Sequence, residues 1–147
     1  MEMTLPVLFF LSIPEMIALS LFVLALNKSL NYWKKGVIVG VFLALTVYCL
    51  RLIPITFGVH TLILISLSVT IFFIVFNLNL IKTILSVLLG QLIIIIGEFF
   101  SIVIIPNRLG ISNEDIFENS VLWITFGWFS VILVIIVTFI IYKFTLR

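Results

Sequence analysis

Five apolar runs, each about as long as a bilayer core is thick, fill most of this 147-residue chain and leave only short polar breaks between them. Roughly 20 consecutive apolar residues carry a helix across about 30 Å of hydrocarbon. The runs read as spans at 5–26, 36–52, 59–76, 81–105 and 121–142. A transmembrane barrel would need strands that alternate polar and apolar side chains, whereas these runs are apolar on every face. The sequence therefore predicts an all-α integral membrane protein: a single domain over residues 1–147, built as a bundle of five transmembrane helices.

Composition narrows the field. Hydrophobic residues make up 64% of the chain and charged residues 10%, with a mean hydropathy of +1.46, far from the mix of a soluble domain. A net charge of +2 is too small and too scattered to point to nucleic acid. The first run follows Glu2 rather than a basic segment and is too long for a signal-peptide core, so it reads as a retained span. The lone Cys49 lies in the second span and leaves no disulfide framework. There is no histidine cluster for a metal, no paired aspartate and no glycine-rich phosphate loop. A Cys49–His60 pair has nothing around the thiol in an apolar helix to activate it. The expectation is a protein without enzymatic activity, metal or cofactor.

Basic residues near span ends are retained in the cytoplasm. Lys28, Lys34 and Lys35 lie between spans one and two, Lys82 opens span four, and Lys143 and Arg147 follow span five. Only Arg51 and Arg108 fall at the opposite end, which predicts the N-terminus outside and the C-terminus in the cytoplasm. Glu114, Asp115 and Glu118 then lie outside. Tyr32, Trp33 and Tyr142 at the inner boundary, with Trp123 near the outer one, fit an interfacial aromatic belt. In the connection 106–120, Ser112 followed by Asp115 reads as a shortened capping box, with Ile116 and Phe117 offering an apolar edge to the membrane surface. An ordinary polar loop is the competing reading.

Small residues mark where helices touch. Gly36, Gly40 and Ala44 recur every four positions in span two, and Ser86, Gly90, Gly97 and Ser101 form a second stripe in span four. Such stripes serve packing within one chain or between copies in a homo-oligomer.

Glu15 lies roughly 15 Å from the start of span one, and Glu98 roughly 12 Å from Pro106, at 1.5 Å per residue. A charged side chain at such depth costs roughly 3 kcal/mol or more unless it finds protein, a proton or a cation. Arg51 is aimed along the small-residue seam of span two and is expected to reach inward to pair with Glu98, and Pro54 and Gly58 turn the chain so that the only histidine, His60, stands over the same region. Gln91 shares the face of Glu98, seven residues away. These residues predict an outward-facing ligand pocket formed by Glu15, Arg51, His60, Gln91 and Glu98. Two plainer roles compete with it: Arg51 reaching to headgroups from its span end, and Glu15 serving a carbonyl freed by Pro14.

Four phrases taken together carry a resemblance: IPEMIALSLFVLAL, YCLRLIPITFGVHT, GEFF and FENSVLWITFGW. The chain resembles the N-terminal membrane-sensor regions of certain histidine kinases from clostridia-like Gram-positive bacteria, and small related membrane proteins lacking the kinase. The shared pattern maps onto Pro14, Glu15, Arg51, Pro54, His60, Thr61 and Glu98. Such kinases continue after the last helix into dimerisation and ATP-binding domains, whereas Arg147 is five residues beyond Tyr142, so no phosphoacceptor histidine or nucleotide site is carried over. The resemblance implies a bacterial cytoplasmic membrane, a sensing role in a two-component system, and a cytoplasmic kinase or other membrane subunit as partner. A small transporter or accessory subunit using the buried glutamates, and a structural oligomerising subunit, are the alternatives.

Overall fold

The computed structural model describes residues 4–54 and 56–145, with Phe57 described in its backbone alone. It is all-helical, with no strand among the described residues. Five helices are long and apolar enough to cross a membrane: α1 (Leu5–Leu26), α2 (Leu30–Arg51), α3 (Phe57–Phe76), α4 (Leu80–Leu109) and α6 (Ser120–Thr145). A short amphipathic helix, α5 (Asn113–Glu118), precedes α6.

Helices α2 and α4 outrun their apolar stretches for identifiable reasons. Helix α2 starts six residues early because Tyr32, Trp33, Lys34 and Lys35 all lie exposed on its first turns, aromatic rings and long cationic stems suiting an interface. Helix α4 continues through Pro106 to Leu109 and ends on Gly110 at φ +73°. Proline removes one backbone donor and crowds the carbonyl four residues back. Here that carbonyl belongs to Ile102, inside a π turn over Phe99–Ile104. The same device occurs in α1, where the π turn Leu8–Ser12 holds Phe10, the residue crowded by Pro14. Widening the turn lets both helices pass a proline without breaking.

Helix α1 is the axis of the bundle. It packs on α2, α4 and α6, while α3 sits at the edge between α2 and α4. Each neighbour meets α1 through a small residue or a polar contact. A Cβ on Gly40 would come within 2.6 Å of Ile17 Cα, so α1 and α2 touch backbone to backbone there; one turn away the Ser20 hydroxyl donates to the Gly36 carbonyl at 2.7 Å. Gly90 of α4 receives Leu19 and Phe22, and Asn27 donates to Ser86 Oγ at 3.0 Å. Gly127 of α6 receives Leu11. Because lipid tails are as apolar as leucine, close approach and hydrogen bonds, rather than hydrophobic burial, hold such helices together.

The connection after α4 departs from expectation in one respect. The capping box forms as predicted: Ser112 Oγ accepts from the Asp115 N–H at 3.1 Å, and the Asp115 carboxylate accepts from the Ser112 N–H at 3.3 Å. The apolar edge of α5, however, faces protein and not the membrane surface. Ile116 is fully buried, and the Phe117 ring meets Trp123 edge-on at 5.1 Å. Trp123 is therefore buried beneath α5 instead of joining a lipid-facing belt.

Candidate functional site: a carboxyl cluster between helices

Extending α4 to Leu109 puts Glu98 about 16 Å from that helix end, against about 15 Å from Glu15 to the start of α1. The two acids thus lie at nearly the same depth, deeper for Glu98 than the apolar run alone predicts. Glu15 is buried and Glu98 half-buried.

Glu15 points from α1 into α6, where Ser130 Oγ donates to its Oε1 at 3.0 Å. Gly97 makes that contact reachable. A Cβ at position 97 would come within 2.9 Å of Ser130 Cα, so only glycine lets α4 and α6 close over Glu15. The Ser130 hydroxyl also approaches the Gly127 carbonyl at 2.7 Å. One hydroxyl hydrogen cannot fully serve both acceptors. A proton on Glu15 would complete the chain, with Glu15 donating to Ser130 and Ser130 to Gly127, so the arrangement can take up a proton without breaking either contact.

Glu98 follows Gly97, which touches Ser130, so it stands one residue from the Glu15–Ser130 contact, and Arg51 ends α2. The direct Arg51–Glu98 pair suggested by the sequence does not form: among the described residues no contact ion pair joins Arg51 to either carboxylate. Its exposed guanidinium lies over the Trp123 ring, 5.8 Å from the centroid. The buried aromatic offers the cation a face at the helix end.

The other two predicted residues stand differently. Gln91 is buried, and its Nε2 has no hydrogen-bond partner. His60 is half-buried in the first turn of α3. The structure therefore brings the Glu15–Ser130 contact of α1 and α6 against Gly97 of α4, the residue before Glu98, with Arg51 at the end of α2. Glu15 serves Ser130 and not the carbonyl freed by Pro14, whose strain the π turn relieves. Cys49 is exposed on α2. Among the described residues no group of histidine, cysteine and acidic side chains could hold a metal ion.

Ser130, Gly127 and Ser20 were not singled out by the sequence. The signal for the first two is present in the spacing Gly127-Trp128-Phe129-Ser130: a glycine followed three residues later by a serine, a weak small-residue repeat hidden in an aromatic stretch.

Fold and cluster together define a multi-pass helical membrane protein with ionisable groups buried between its spans. The chain matches no protein-family model, no curated protein and no solved structure.

Proposed function

We propose that the chain is a non-catalytic sensing or signalling module, in which the Glu15, Glu98 and Arg51 cluster registers a polar or cationic ligand arriving from outside and transmits it as a change in helix packing. The observation that carries this reading is the Glu15–Ser130 bond at the Gly97 approach. A charge or ligand placed there acts on three helices at once. The unpartnered Gln91 amide adds a donor suited to water or a ligand oxygen. With the lysine-bearing ends in the cytoplasm, the response would emerge where a kinase or another subunit can attach, in keeping with the family resemblance.

Transmission requires that the two packing states differ in their affinity for whatever binds the cluster. Spin labels at Asn31→Cys and Phe144→Cys, in a Cys49→Ser background, report the separation of α2 and α6 at their far ends. Glu98→Gln is expected to redistribute the measured distances in nanodiscs. An unchanged distribution overturns the sensing role.

A second reading follows from the shared Ser130 hydrogen: proton or cation handling by Glu15 and Glu98 in a small transporter. Glu15-dependent proton flux in liposomes, with no change in helix separation, would favour it.

A further inference from the structure

The two carboxyls lie near mid-depth in the bundle; a second feature lies toward the end that carries the lysines. The buried residues of helix α6 end at Val134. Beyond that point it lines, with α1 and α2, a groove of about 360 Å³, within the roughly 300–1,000 Å³ typical of small-molecule sites. Ala18 and Leu21 of α1 form its floor, Leu30 and Trp33 of α2 one wall, and Phe139 and Tyr142 of α6 the other. Thr138 is the one hydroxyl-bearing aliphatic side chain in it, and its hydroxyl already donates to the Val134 carbonyl at 2.7 Å. The lining thus asks for an apolar occupant.

Charge identifies the kind. Lys28, Lys34, Lys35, Lys82 and Lys143 are all exposed at this end, and among the described residues every carboxylate lies elsewhere: Glu15 and Glu98 between the helices, and Glu114, Asp115 and Glu118 at the opposite end. Two of these lysines directly follow groove residues, Lys34 after Trp33 and Lys143 after Tyr142. Lys34 Nζ stands 5.7 Å from the Trp33 ring centroid, which fixes one cation beside the groove wall.

We propose that this groove is a specific site for an anionic phospholipid, with one acyl chain against Ala18 and Leu21 and the phosphate between Lys34 and Lys143. An occupant held there bridges α2 and α6 where the protein itself does not. The site is independent of the carboxyl cluster and of the sensing role.

Native mass spectrometry of the full chain, released from detergent with equal amounts of phosphatidylglycerol and phosphatidylcholine, tests this. The expected result is a single retained phosphatidylglycerol, preferred over phosphatidylcholine by about fivefold per contributing lysine. Lys34→Gln with Lys143→Gln, both at exposed positions, removes the preference while the protein stays folded. Ile135→Trp, which narrows the groove from a half-exposed position, loses the retained lipid of either kind. Equal retention of the two lipids by the parent, or undiminished phosphatidylglycerol binding in both variants, overturns the proposal. So does a dimer whose copies cover the groove and exclude lipid.

Discussion

The two halves of this bundle are built from similar apolar residues yet packed in different ways. In the half that carries Arg51 and Arg108, α6 presses onto α1 and α4 through Gly127, Ser130 and Val131, α5 folds over Trp123, and the buried carboxyls sit in between. In the half that carries the lysines, α6 has no buried residue after Val134 and a groove opens beside α1. Hydrophobicity does not distinguish them, since both halves would be equally content in lipid. What differs is the supply of small residues and interhelical hydrogen bonds, which α6 has only in its first half.

Substitutions can break that contrast. The largest effect is expected at Gly40, where any Cβ meets the α1 backbone: Gly40→Leu should lower stability by about 3 kcal/mol, read from thermal unfolding in detergent. Next come the contacts between α6 and its neighbours. Ser130→Ala removes the Glu15 bond and should cost about 1 kcal/mol, in line with hydrogen bonds between membrane helices. Val131→Ala, at a fully buried position, should cost a similar amount, about 1 kcal/mol, through lost packing. The smallest effect is expected in the other half, where Phe139→Ala deletes a far larger but mostly exposed side chain and should stay within about 0.5 kcal/mol. A Phe139 effect exceeding that of Val131 would show that the two halves are equally packed.

The number of helices was legible because each span is a long apolar run whose backbone must satisfy itself in lipid. Their ends were less so. Helix α4 outruns its apolar stretch because a π turn carries it past Pro106, and a proline in sequence does not announce whether the helix stops or widens. That extension also brought Glu98 level with Glu15. The glycine stripes at Gly36, Gly40, Gly90 and Gly97 do mark close approaches, since their spacing fixes a common face. Which helix meets each stripe depends on tertiary arrangement, and so the partner of Glu15 turned out to be a serine on α6. Arg51 illustrates the same limit: its charge predicted an acidic partner, while a buried indole at the helix end gave it a nearer one. His60 was grouped with the acids by its shared end and the Pro54–Gly58 turn, and it lies on α3, which stands at the edge of the bundle.

The infrared carboxyl band of Glu15, assigned by its disappearance in Glu15→Gln, tests most directly whether this acid lies inside the protein beside Ser130 and Glu98. The band should move in Ser130→Ala, which removes a hydrogen bond, and again in Glu98→Gln, which replaces a nearby carboxyl. A band unmoved by both substitutions would contradict the cluster.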